Sequence, residues 1–256
     1  MKRLVVLAIS LLMVGNVFGW GQKGHDVIAY IAECHLSKKA AQKIDKVLDG
    51  HSPVYYANWM DDASHKPAYR YSKTWHYLNV DEGKTIETMP KEERGDVLTA
   101  VEQLTEKLKK GGLSHAEEHD CLKMLIHLVG DMHQPLHLGR KTDLGGNRRP
   151  VSWFGRSTQL HKVWDSNLPE SAHKWSYTEW QQQLDRLSKE DAEAMAAGTP
   201  NDWVHEVHAI CVEVYDFTPE GARLSYDYVS KYAPVVEKQF LRAGLRLARL
   251  LNEIYE

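Results

Sequence analysis

Two segments place a histidine and an aspartate four residues apart: His127 and Asp131 in "LIHLVGDMHQPLH", and His161 and Asp165 in "QLHKVWD". On a helix such a pair shares one face, so each segment can offer an imidazole nitrogen and a carboxylate oxygen to one point. His137 follows the first pair just beyond a proline turn. Upstream, "WMDD" supplies Asp61, "TWHYLN" supplies His76, and "GWGQKGHD" supplies His25 five residues after Trp20. A lone His-x-x-x-Asp is usually a surface pair or a stabilised cap. Two of them, flanked by further histidines around a Gln-Pro turn, form the nitrogen and oxygen ligand set that suits zinc. These eight side chains exceed the four ligands of a single tetrahedral zinc. The arithmetic predicts several ions sharing a carboxylate.

The elements that must position these groups read as helices nearly throughout. One is expected over 24–36, with Ile28, Ile31, Ala32 and His35 on one face. Ser37 caps a second that stops at Gly50. Residues 96–110 form an amphipathic segment ended by Gly111-Gly112. Ser114 with Glu117 is a capping box that opens a helix through about Asp131, and Pro135 forbids its continuation. Thr178 with Gln181 is read as the start of another, and Thr199-Pro200 of a further one. The last, over about 233–255, spaces Val236, Phe240, Ala243, Leu247, Leu250 and Ile254 along one face. Its Arg242, Arg246 and Arg249 are read as a solvated outer stripe. Strand signals are poor: Trp75 to Val80 and Arg149 to Phe154 pair as a small hairpin at most. The expectation is one all-α domain over 20–256, without repeats or linkers.

Residues 1–19 read as a signal peptide: Lys2 and Arg3, an apolar run Leu4 to Val14, then Val17 and Gly19 at the cleavage positions. That run falls short of the ~20 residues of a membrane span, and no other long apolar run exists. The protein is expected to be exported, periplasmic or secreted, with Trp20 as its new N-terminus. Formal net charge is −3 over the whole chain. Without Lys2 and Arg3 the balance is 30 basic to 35 acidic side chains, which excludes a broad polycationic face for nucleic acid. Cys34, Cys121 and Cys211 allow at most one internal disulfide, the alternative being buried thiols. Few cysteines and no Asn-x-Ser/Thr sequon point to a bacterial envelope.

In motif order, WGxxGH, WxD, WHYxN, HxxGDxxQPLH, GGN and LHxxWD run along the whole mature chain. In these motifs the sequence resembles the zinc-dependent single-strand-specific nucleases and 3′-nucleotidases of the mung bean nuclease type, which share the all-α zinc phospholipase C fold. The resemblance implies three zinc ions. Asp61, His76, His127 and Asp131 would hold the first, and Asp131 would bridge to a second held by His25 and by the α-amino nitrogen and carbonyl of Trp20. His137, His161 and Asp165 would hold the third. An α-amino group titrates near pH 8, so a metal displaces its proton readily at neutral pH. The implied chemistry is hydrolysis of single-stranded DNA and RNA to 5′-phosphates by metal-activated water, together with 3′-nucleotidase activity. Asp61 and Asp131 are the implied catalytic carboxylates, Asp61 lying beside the water.

On the substrate side the resemblance implies that Tyr77 stacks a base and Asn79 binds its edge. A need for an exposed base would explain single-strand preference. Asn79 stands where fungal enzymes carry aspartate, and an amide both donates and accepts. Asn147, in Gly145-Gly146-Asn147, would lie where substrate approaches closely. One departure stands out: Ser64 replaces the family's phosphate-facing arginine, and Arg70 is the nearby cation that could substitute for it. His65, His115, His119, His133, His173, His205 and His208 match no ligand position and read as surface or structural. Two other readings are a zinc phospholipase C-like phosphodiesterase and a non-catalytic zinc-binding envelope protein. Asp165 in place of a glutamate, and the long His137–His161 interval, oppose the first; only Ser64 favours the second. Partners are nucleic acid and nucleotide substrates, with no stable protein partner expected.

Overall fold

The computed structural model describes residues 20–256; the expected signal peptide lies outside the described residues. Side-chain caps open six of the twelve α-helices among the described residues. Helix α1 spans Gln22–Cys34 and buries Val27, Ile28, Ile31 and Ala32. Helix α2, Lys38–Val47, opens where the Ser37 hydroxyl accepts the Ala40 N–H. Two short turns follow, α3 at Pro53–Tyr56 and α4 at Trp59–Ala63. Helix α5, Val97–Lys110, is capped by Asp96 and stops at Gly111, where φ is +68°, a conformation glycine adopts without strain. The predicted Ser114–Glu117 capping box opens α6, His115–Met132.

Past α6 the chain tightens. A 3-10 turn, Pro135–Leu138, carries His137. A hairpin of β1, Pro150–Trp153, and β2, Arg156–Gln159, leads into α7, Leu160–Lys162. Residues Val163–Asn167 form a π-helical turn before α8, Leu168–Ala172. Such turns re-aim side chains within a helix and recur at functional sites. Helices α9, Tyr177–Leu184, α10, Lys189–Ala196, and α11, Pro200–Phe217, complete the layer. A short strand β3, Arg223–Leu224, runs parallel to β1, and α12 occupies Tyr226–Tyr255. The long helices surround one continuous apolar core. All-α architecture with a small sheet is what the sequence predicted.

Four expectations are corrected. The hairpin partner of β1 is β2, not 75–80; that segment leaves a turn at Trp75 and His76 and then passes beside the His137 turn, with Leu78 N–H donating to the His137 carbonyl and Val80 N–H to that of Gly139 (both 2.9 Å). Helix α9 starts one cap earlier than Thr178, because Ser176 and Glu179 form the reciprocal box. Helix α12 begins at Tyr226 and continues through Pro234. That proline and Ser230, whose carbonyl it cannot bond, both lie on the exposed face, where the helix tolerates the missing N–H. Finally, Arg246 is not on a solvated stripe: it is 2% exposed and its guanidinium donates to His133 Nε2 (3.0 Å) and Glu206 (2.6 Å). Cys34 is exposed while Cys121 and Cys211 are buried, and all three are free thiols.

Candidate metal centre

Helices α1 and α12 approach closely because Gly244 has no side chain; a Cβ there would lie 2.5 Å from that of Ile31. The same economy sets α1 against α6, where a Cβ on Gly130 would meet His25 Nδ1 at 2.8 Å. Gly130 thus leaves room for His25 at the buried centre, and Gly24, whose Cβ would lie 2.7 Å from that of Trp20, leaves room for Trp20. Trp20 is fully buried and packs edge-on against Phe240 at 4.8 Å, and Gly21 N–H donates to the Asp165 carbonyl at 2.8 Å. A Cβ at Gly21 would strike Ser166 Oγ at 2.7 Å. The glycines of "WGQKGH" are therefore required by packing, Gly21 one turn before His25 and Gly24 directly beside it.

The sequence-predicted groups converge as three triads: His25, His127 and Asp131; Asp61, His76 and His127; and His137, His161 and Asp165. Asp131 stands between the first two. Its Oδ2 lies 2.8 Å from His76 Nδ1 and 3.1 Å from His127 Nε2. Its Oδ1 lies 3.4 Å from His25 Nε2 and 3.7 Å from His137 Nδ1. Asp61 Oδ1 is 3.3 Å from His127 Nε2, and His161 Nε2 is 3.3 Å from Asp165 Oδ2. One carboxylate thus presents an oxygen to each side of the crowd.

Backbone carbonyls fix the imidazoles. His127 Nδ1 faces the Ala57 carbonyl at 2.8 Å, His137 Nδ1 that of His76 at 2.5 Å, and His161 Nδ1 that of Gly145 at 2.6 Å. A carbonyl only accepts, so Nδ1 carries the proton in each and Nε2 is left as the donor atom toward a metal. This is the outer support that orients ligand histidines in metal sites.

Electrostatics reveal what the centre lacks. Burial pushes His25 down from its ordinary value, with neighbouring His127 adding to the effect; the two rings stack at 4.0 Å. Burial also opposes the His127 imidazolium, yet the Asp131 and Asp61 carboxylates hold its pKa well above the histidine range. Asp131 is held well below the carboxylate range by His127 and His137 despite burial. Asp165 is pushed well above it by burial, a hydrogen bond from Gln134 opposing. Among the described residues, His25 Nε2, His76 Nε2, Asp61 Oδ1 and Asp131 Oδ1 are buried without hydrogen-bond partners. Each such group costs on the order of 1–3 kcal/mol. Divalent cations would satisfy them, so the residues present fit a metal centre.

The residues expected to contact substrate stand further out. Tyr77 is half-buried; burial raises its phenol pKa, Glu92 adding and Lys141 opposing. Asn79 lines a narrow cavity with Glu92 and Lys141. Asn147 donates to the Leu144 carbonyl (3.0 Å) and holds its own turn. Ser64 is buried and its hydroxyl donates back to the Asp61 carbonyl at 3.1 Å, while Arg70 is exposed. The sequence reading named Gln134 within a motif but gave it no role; it is fully buried and donates to Asp165 Oδ1 at 2.6 Å. A polar residue wedged between ligand positions was the available signal. Among the described residues no helix is long and apolar enough to cross a membrane.

Comparison with known proteins agrees with this geometry. Endonuclease 2 of Arabidopsis thaliana is 28% identical over 284 residues, covering 98% of this chain and 96% of that protein. Nuclease S1 of Aspergillus oryzae is 26% identical, covering 99% and 98%. Nuclease P1 of Penicillium citrinum is 27% identical, covering 92% and 98%. The S1/P1 Nuclease family model matches residues 20–256, and the chain belongs to that family, hydrolases of nucleic-acid phosphodiester bonds.

Proposed function

We propose that this chain is an exported, zinc-dependent endonuclease that cleaves single-stranded DNA and RNA to 5′-phosphate products and also acts as a 3′-nucleotidase. The observation that carries the reading is Asp131, whose Oδ2 faces buried nitrogens of His76 and His127 while its Oδ1 faces that of His25. Three zinc ions are assigned: one to Asp61, His76, His127 and Asp131; one to Asp131, His25 and the α-amino nitrogen and carbonyl of Trp20; one to His137, His161 and Asp165. When bound, the ions supply Lewis-acid polarisation of the phosphate and lower the pKa of water.

The chain's own groups do the rest. Asp61 accepts a hydrogen bond from the attacking water and orients it, with no side chain needed as a general base. Tyr77 stacks an unpaired base and Asn79 reads its edge, which a stacked duplex cannot offer. Cleavage before Trp20 frees the amine that completes the His25 set, so the uncleaved precursor lacks a ligand.

Protein with a sequenced N-terminus should release acid-soluble nucleotides from single-stranded DNA and RNA, lose that activity to a chelator, and regain it with zinc. Turnover of phosphatidylcholine alone would move the chain to the phospholipase class, and no turnover in zinc-loaded protein would leave a binding protein. Extension by one residue before Trp20 should weaken zinc binding at the His25 set severely; full activity and full zinc content in that form rule out the α-amino ligand.

A further inference from the structure

We propose that Gln134 is a positioning residue that presents Asp165 to the third zinc; the inference rests on the three-ion reading above. Gln134 is fully buried, so water does not compete for its amide. Its Oε1 accepts the Leu136 N–H at 2.5 Å and its Nε2 donates to Asp165 Oδ1 at 2.6 Å. The orientation of the amide is forced, because the Leu136 N–H can only donate. Donation to Oδ1 leaves Oδ2 as the oxygen near His161, at 3.3 Å.

The same side chain caps the 3-10 turn that carries His137. One amide therefore ties the turn bearing one ligand to the carboxylate of another, across sequence positions 134 and 165. The turn is itself anchored: Gln239 Nε2 donates to the His133 carbonyl at 3.1 Å. A neutral donor matters here. Lysine or arginine would hold Asp165 as well but would bring a positive charge that repels the incoming cation, whereas an amide orients the carboxylate and leaves its charge for the metal.

Two variants test this. Gln134→Glu keeps an acceptor for Leu136 N–H but loses the donor toward Asp165; Gln134→Met loses both at similar volume. Zinc content by mass spectrometry should fall from three ions to two per chain in either variant. Affinity at the weakest site, measured by competition with a chromophoric chelator, should drop 10–100-fold. In an Asp165→Asn background, Gln134→Glu, which keeps the Leu136 cap, should produce no further loss of zinc, since its effect runs through Asp165. Unaltered zinc content and affinity in Gln134→Glu, with wild-type protein holding three ions, overturns the role of Gln134 and leaves the three-ion reading standing. A further fall in zinc content in the double variant shows general damage to the fold and also overturns it. Wild-type protein that binds no zinc overturns both.

Discussion

His127 lies inside α6 and His133 caps its C-terminal end; both are 0% exposed. Their chemistry diverges because of what faces them. His127 meets the carboxylates of Asp61 and Asp131, which hold its proton well above the ordinary range against the effect of burial. His133 donates from Nδ1 to the Val129 carbonyl and accepts from Arg246 at Nε2. Burial, and after it the Arg246 charge, push its pKa down to about 3. A buried histidine beside carboxylates with orphaned oxygens is half of a cation site. Beside a guanidinium it is already satisfied, and it serves as a strut between α6 and α12.

The contrast can be broken most severely on the metal side. Asp131→Asn keeps the shape but removes the shared charge; hydrolysis should fall by at least the ~100-fold that even outer-shell losses reach, with zinc content reduced. Steady-state assays and metal analysis check it. On the strut side, Arg246→Met should leave zinc content intact and cost stability instead. A hydrogen bond to a charged group contributes ~1.5–3 kcal/mol. Glu206 is 43% exposed and stays hydrated, so the lower end applies, about 2 kcal/mol, a melting temperature lower by roughly 4–8 °C. Calorimetry that finds zinc lost before stability would erase the distinction.

The smallest test is a pH slope. Unfolded histidine takes up a proton near pH 6.5, native His133 only near pH 3. Between those values the unfolded state holds the extra proton, so native stability falls as pH drops below 6.5 and the loss levels off near pH 3. At pH 5 this amounts to about 2 kcal/mol as an upper figure. His133→Gln, which can still accept from Arg246, should flatten the slope in denaturant melts between pH 5 and 7. An unchanged slope would mean that another group carries it.

The sequence made the helices legible wherever a cap or an i, i+4 pair was local. Ser114–Glu117 and His127–Asp131 needed no tertiary knowledge. What escaped depended on partners far along the chain. Arg246 sits on a helix like its neighbours 242 and 249, and only the approach of α11 and of His133 buries it. Residues 75–80 read as a hairpin strand, but Trp75 and His76 lie in a turn and Leu78 and Val80 bond to the segment of the His137 turn, which no local pattern announces. Gln134 was visible as a residue and silent as a device, since its meaning lies in Asp165. The grouping of ligands was readable only through the family's motif order.

The hydrogen bond from Gly21 to the Asp165 carbonyl also sets an order in time. The neighbouring contact from Lys23 Nζ to the Trp175 carbonyl closes a loop of 152 positions, and such closures form late compared with local helical turns. The segment from Trp20 to His25 can dock only on a surface that the Asp165 turn, the Trp175 loop and α12 have already built. His25, carried by that segment, should therefore reach the buried centre last, after the side chains on α6 and on the His137 turn are already in place.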